Sequence, residues 1–319
     1  MRFALMTEPQ QGLTYAEILA LARAAEDAGF EAFFRSDHYA SFPGGAGMPT
    51  TDAWTTLAGL ARETTRINLG VLVSPVTFRA PGNLAKVSAT VAEMSGGRVE
   101  VGLGAGWNEP EHHQQGMAFP DVRERFDMLE EQLAIIHGLW SEPDGWSYSG
   151  AHWQVRDSLF RPRPLASAGR KHPNLIVGGE AKPRMAALVA RYADEINITS
   201  ATPASAAVGY ARVSDACRAI GRDPASVTRS AMTGVLVGRD GAEVERRAQA
   251  LLDAVGRAGG VDAESWLAER RRRWIFGTPE QARARVADLA AAGVERVMLQ
   301  TFLPRDLDMV ARLGEIFLS

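Results

Sequence analysis

Four stretches of the sequence hold residues whose types and spacing could do chemistry. Asp37 and His38 stand side by side. Two adjacent ionisable groups can hydrogen-bond a polar ring and exchange protons near neutral pH. The structural alternative is a helix-start cap followed by a surface histidine. Val73-Ser74-Pro75-Val76-Thr77 offers small and polar residues that let a flat ligand approach the backbone, or else forms a proline-stiffened loop. Gly102, Gly104 and Gly106 alternate ahead of Trp107, Asn108 and Glu109. This is not the dinucleotide fingerprint, whose spacing is G-x-G-x-x-G near the first strand. Alternating glycines make room for something planar, which the Asn108 amide could hydrogen-bond; the competing reading is a glycine-rich barrel corner. Val177-Gly178-Gly179-Glu180 precedes a helix. Adjacent glycines there expose backbone N–H groups to an anion such as phosphate, or simply make a tight turn.

Other chemistries fit poorly. Of the six histidines only His112 and His113 are adjacent, and neighbours in sequence do not share a helix face. A hydrolase barrel would want His-x-His near the first strand, where Met6-Thr7-Glu8 stands instead. The single cysteine, Cys217, excludes an intrachain disulfide and a cysteine zinc site. No metal centre is expected. Only Lys86, Lys171 and Lys182 of the 35 basic residues are lysines, and none stands convincingly at a strand end for a Schiff base. The 35 basic residues face 38 acidic ones, for a net charge of -3. That balance argues against nucleic acid or an anionic membrane as partner and leaves a small-molecule substrate. The run Arg270–Arg273 reads as a solvated helix face, or as a clamp for the anionic tail of a ligand. No apolar stretch is long enough to span a bilayer. The N-terminus lacks the basic and apolar segments of a signal peptide, so a cytoplasmic protein is expected.

The elements that must position these residues alternate between β-type runs and amphipathic helices. Strands are expected at Arg2–Thr7, Glu31–Ser36, Ile67–Val73, Arg98–Gly104, Asn174–Gly178, Glu195–Thr199, Thr228–Val237 and Arg296–Phe302. Helices are expected between them: Thr14–Ala28, with Thr14 and Glu17 in capping-box spacing and Gly29 as its stop, and Pro81–Ser95, with proline in its first turn. Eight strand–helix units favour a closed (β/α)₈ TIM barrel over an open sheet. The chain reads as one domain over 1–319, with insertions at about 139–167, where tryptophan, proline and glycine break the helical pattern, and 240–274, which is helical and charged. In such barrels chemistry sits at the C-terminal ends of the strands. All four stretches fall there.

The combination resembles the luciferase-like monooxygenase superfamily in its deazaflavin branch. The resemblance rests on Ser36-Asp37-His38-Tyr39, Gly70 to Pro75, Ser95-Gly96-Gly97-Arg98, Gly102 to Glu109, Glu124-Arg125-Phe126, Val177-Gly178-Gly179 and Arg191-Tyr192-Ala193-Asp194. It implies a barrel binding a flavin-type ring at its C-terminal face. Asp37 and Asn108 would contact a deazaflavin. Val73–Ser74 would carry a non-prolyl cis peptide backing the ring. Val177, Gly178 and Gly179 would meet the cofactor phosphate, and His38 would act as acid or base. The resemblance further implies a homodimer and hydride transfer between coenzyme F420 and an organic substrate. Two other readings keep the fold: a monooxygenase using reduced FMN and oxygen, and a non-catalytic flavin-binding barrel. Two departures stand out. Glu180 follows the glycine pair where relatives often continue in glycine, and is expected to point away from a phosphate. The glucose-6-phosphate dehydrogenases carry a fourth-strand-loop glutamate at a different spacing, which argues against a sugar phosphate as substrate here.

Overall fold

Thr14 opens the first helix as its spacing with Glu17 requires. Its hydroxyl accepts the Glu17 N–H at 3.3 Å while the Glu17 carboxylate accepts the Thr14 N–H at 2.8 Å. Gly29 closes that connection at φ +95°, a left-handed conformation in which a side chain would be strained. The same alternation of strand and capped helix recurs along the chain. The computed structural model describes residues 1–42, 47–166, 169–256 and 262–319. Ser167, at the end of the first expected insertion, and residues 257–261 of the second lie outside them.

Eight strands are β1 Arg2–Thr7, β2 Ala32–Arg35, β3 Asn68–Pro75, β4 Val99–Gly104, β5 Asn174–Gly178, β6 Glu195–Ile198, β7 Thr228–Val237 and β8 Arg296–Thr301. Each pairs in parallel with the next, β8 returns to β1, and the ring closes as the expected (β/α)₈ barrel. The helices are α1 Tyr15–Asp27, α2 Ala53–Glu63, α3 Pro81–Ser95, α4 Glu109–Gln114, α5 Val122–Ser141, α6 Pro183–Tyr192, α7 Pro203–Ala219, α8 Gly241–Gly256, α9 Ala263–Arg273, α10 Pro279–Ala291 and α11 Leu307–Phe317. None in the described residues is long and apolar enough to cross a membrane.

Two stretches differ from expectation. The first irregular segment begins later, because α5 runs on through Ser141. An antiparallel hairpin of Trp146–Ser149 and Gln154–Ser158 follows. The Glu131 carboxylate on α5 ties it down by accepting N–H bonds from Ala151 at 2.7 Å and Trp153 at 3.0 Å. After α9, Ile275–Gly277 adds a short strand alongside Val235–Val237 of β7.

The apolar core is layered. A large cluster lies between strands and helices. A smaller one fills the barrel, with Ala4, Met6, Ala32, Phe34, Leu72, Ile176 and Met298. Near the N-terminal ends of the strands the interior turns ionic. Arg296 forms a bidentate pair with Glu100 at 2.7 and 2.8 Å and reaches Glu195 at 3.0 Å. The Asn174 amide donates to both carboxylates, at 2.7 and 2.8 Å. This buried plug closes one end of the barrel. The cavity lies at the other end.

Candidate active site

A cavity of about 990 Å³ opens at the C-terminal ends of the strands. Met6, Leu72 and Met232 contribute to its apolar lining. Beside them runs a polar chain: Ser36 Oγ donates to Gln10 Oε1 at 2.8 Å, Gln10 Nε2 donates to Glu8 Oε2 at 2.7 Å, and Gln300 Nε2 donates to the other Glu8 oxygen.

His38 reaches this cavity because its loop is anchored at both ends. The buried Arg35 guanidinium donates to the Ser36 carbonyl at 3.0 Å, the Thr51 carbonyl at 2.8 Å and the Thr56 hydroxyl at 2.8 Å. His38 Nδ1 lies 2.8 Å from Glu111 Oε1, and the Tyr39 N–H donates to Glu111 Oε2 at 3.1 Å. Glu111 is buried on the short helix α4. Its neighbour His112 locks that helix, with Nδ1 2.7 Å from the Asn108 carbonyl and Nε2 2.6 Å from Thr77 Oγ1. A carboxylate on Nδ1 selects the tautomer with its proton there, leaving Nε2 free to exchange a proton. Phe42 and Trp107 pack edge-on to the imidazole, at centroid distances of 4.4 and 6.0 Å.

Asp37 turns the other way. Its carboxylate accepts from Ser74 Oγ at 2.8 Å and from Arg79. Ser74 in turn accepts from Trp54 Nε1 at 3.0 Å. Arg79 also meets Asp52 and the Tyr39 hydroxyl, so one guanidinium joins three segments. Burial alone would raise Asp52. The Thr55 N–H, the Tyr39 hydroxyl and the Arg79 charge outweigh burial and hold it at about 2. A carboxylate depressed this way stabilises the fold fully above its ordinary value of 3.8 and loses that contribution as the pH falls toward 2. The variant Asp52→Asn is therefore expected to start less stable at neutral pH and to lose less between pH 4 and 2. Thermal melts across that range check this; parallel curves would overturn it.

Three glycines on the third-to-fifth-strand side serve a different purpose from the expected one. β3 carries one extra residue between Val71 and Ser74 relative to β4, a bulge that turns Val73 inward. A Cβ on Gly102 would come within 2.4 Å of the Val71 carbonyl oxygen; on Gly104 or Gly178 it would come within 2.7 or 2.8 Å of the Val73 methyls. The glycines thus make room for Val73, and Val73 forms the wall. The non-prolyl cis peptide is Leu72–Val73, one bond earlier than the expected Val73–Ser74, because Ser74 is already back in register opposite Leu103.

Of the residues expected in the site, His38, Val73, Gly178 and Gly179 line the cavity. Asp37, Ser74, Asn108 and Val177 do not. Asp37 and Ser74 fasten the wall from behind, Asn108 supports α4 through its carbonyl, and Val177 faces the helix layer. The Gly179 N–H is spent on the Asn197 carbonyl at 2.9 Å, so an anion at this turn would need amides nearer α6. Glu180 stands at the cavity mouth, its side chain largely exposed and its charge met by Lys182 at 2.8 Å. After the fourth strand the short helix α4 brings Glu111 to the cavity. Glu8, Gln10, Gln300 and Glu111 went unseen in the sequence. The one signal for Glu111 was Pro110, which suits the first turn of a helix that would turn Glu111 inward.

The family model for luciferase-like monooxygenases matches residues 1–296. An F420-dependent glucose-6-phosphate dehydrogenase from Microbacterium testaceum is 36% identical over 152 residues, covering 46% of this chain and 44% of that one. A phthiodiolone/phenolphthiodiolone dimycocerosates ketoreductase from Mycobacterium bovis is 31% identical over 226 residues, covering 69% and 57%. The chain thus spans about half the length of curated relatives it matches. Among solved structures, an F420-dependent secondary alcohol dehydrogenase bound to an F420–acetone adduct superposes with a TM-score of 0.80 at 19% identity, covering 99% and 98% of the two chains. The monooxygenase RslO1 from Streptomyces bottropensis gives 0.79 at 24% identity, covering 99% and 97%. A parallel barrel with a bulged third strand and a glycine-lined wall, matched over nearly its whole length, belongs to the luciferase-like monooxygenase family.

Proposed function

We propose that this chain is an oxidoreductase moving a hydride between coenzyme F420 and a small organic substrate. The observation that carries this reading is the His38–Glu111 pair on the wall of a cavity whose flat side is Val73. The cavity suits a planar cofactor: its volume is about 990 Å³ and glycines clear the space in which Val73 forms a wall. Val73 would back the ring, the Gly178–Gly179 turn would leave room beside it, and backbone amides between that turn and α6 would meet the phosphate end, with Asp37 and Ser74 fixing the wall. When bound, a deazaflavin supplies a two-electron hydride carrier. The protein supplies orientation and the proton. His38 Nε2 takes the proton leaving a substrate hydroxyl, or returns one to a carbonyl, and Glu111 steadies the imidazolium that forms. The relatives named a dehydrogenase and a ketoreductase act in this chemical class.

Titration of the purified protein with oxidised F420 and, separately, FMN, followed by fluorescence quenching, tests the reading. Micromolar F420 binding is expected. Micromolar FMN binding without F420 binding would overturn it in favour of an oxygen-using monooxygenase. Binding of neither would overturn it in favour of a non-catalytic barrel.

A further inference from the structure

The run Arg270–Arg273 is divided by the helix that carries it. Residues three apart share a helix face, and Arg270 and Arg273 both line the cavity. Arg271 instead meets Glu245 at 2.6 Å, and neither it nor Arg272 lines the cavity; Arg273 is half exposed and sits at the cavity's edge. The two cavity-lining arginines share one carboxylate: Glu269 accepts from Arg270 at 2.6 Å and from Arg273 at 3.2 Å. Arg270 also stacks on Trp266 at 4.3 Å, and Arg273 donates to the Ser200 carbonyl at 3.3 Å. Two cations against one anion leave a positive charge on this rim. Each guanidinium also has more N–H donors than these bonds use.

The rest of the cavity wall is charged differently. Glu180 and Lys182 cancel, Glu111 faces His38, and Glu8 is met by neutral amides. The field therefore runs from a negative interior at β1 to a positive rim at α9, and an anionic group entering the cavity is drawn to the rim. Beside the arginines Trp274 stacks on Phe302, with centroids 4.9 Å apart and planes 6° from parallel. Gly234 of β7 seats Trp274 there, since a Cβ would come within 2.1 Å of the indole. Both aromatic rings line the cavity.

We propose that Arg270 and Arg273 form an anion clamp, taking one phosphate or carboxylate group of a ligand whose body lies along Trp274 and Phe302. It deepens the reading of this cavity as a redox site, because it gives that site's ligand its charge. Two sources carry such a group: the substrate and the phosphate-bearing tail of the cofactor.

The test uses inorganic phosphate and benzoate as probes, followed by calorimetry and tryptophan fluorescence, on wild type, R270Q/R273Q and the outward control R271Q. Circular dichroism verifies that each variant is folded. Saturable binding of at least one probe is expected for wild type and R271Q, weakened at least about tenfold in R270Q/R273Q. Repeating the titrations after loading with F420 separates the sources. Probe binding that survives loading, with unchanged F420 affinity in R270Q/R273Q, supports a substrate anion. Probe binding lost on loading, with F420 affinity lowered about tenfold in R270Q/R273Q, supports the cofactor tail. The clamp is overturned if R270Q/R273Q binds probes and F420 as wild type does, if wild type binds neither probe, or if R271Q loses as much as the double variant. Absence of F420 binding with intact, arginine-dependent probe binding would sink the hydride-transfer reading and leave the clamp standing.

Discussion

Replacement of His38 by Ala is expected to lower kcat by about 10²- to 10⁴-fold, the usual contribution of a positioned general acid or base. F420 affinity is expected to change little. The imidazole sits at the cavity wall with Nδ1 already committed to Glu111, so what the ring offers a ligand is one exchangeable position, Nε2. A proton-transfer role and a binding role are separable on that ground. Loss of the proton acceptor slows turnover at saturating substrate; loss of a contact raises KM or the cofactor Kd. Glu111 acts through His38 and is a positioning residue. Glu111→Gln keeps the volume and an acceptor oxygen but removes the charge that favours imidazolium. A smaller fall in kcat is expected, together with a displaced pH–rate profile, which a merely structural role would not produce. Steady-state kinetics across pH 5–9 with F420 and a reducible or oxidisable probe substrate provide the measurement. Equal losses of kcat and cofactor affinity in His38→Ala would make His38 a binding residue, and unchanged turnover would remove it from the reaction.

What could be read from the sequence follows the range of the interaction. Pro81–Ser95, Asn174–Gly178 and Thr228–Val237 form as expected to the residue, because local pattern and turn signals decide them. His38, Val73, Gly178 and Gly179 line the cavity, and the rule that barrel chemistry gathers at strand ends points to them from element order alone. Asp37 lies behind the cavity wall because its side chain is claimed by Arg79 and Ser74, on a different strand–helix unit. Nothing near Asp37 in sequence announces that. Glu111 stayed hidden for the same reason: its partner His38 is 73 residues away. The alternating glycines were seen correctly as a clearing, but what fills it is the chain's own Val73, displaced inward by a bulge that no local pattern marks.

The ionic plug shows the largest effect expected on stability. Arg296→Met is expected to cost about 3–5 kcal/mol, the usual penalty for stripping one partner from a buried ion cluster. The guanidinium is 1% exposed and lies against Glu100 and Glu195, which are also buried, with the partly exposed Glu31 close by. Burial works to lower Arg296, and the surrounding carboxylates more than reverse it, holding it well above its ordinary value. Burial likewise works to raise Glu100, and Arg296 overcomes that as well. Methionine would preserve much of the side-chain volume and its contact with Phe34, so the loss measures the stranded carboxylates rather than a cavity. Urea unfolding at pH 7 reads it. The carboxylates then supply their own control. In Arg296→Met, Glu100→Gln, Glu195→Gln the two buried carboxylates are neutral, the partly exposed Glu31 alone keeps its charge, and the Asn174 amide still has oxygens to meet, so this triple variant is expected to be more stable than Arg296→Met alone. A single-variant loss below about 1 kcal/mol, the range of a surface pair, or a triple variant less stable than the single one, would show that the plug does not act as a charge-compensated unit. The plug lies at the N-terminal ends of the strands and the cavity at the other, so variants of Arg296 that remain folded are expected to keep the cofactor affinity of the native chain.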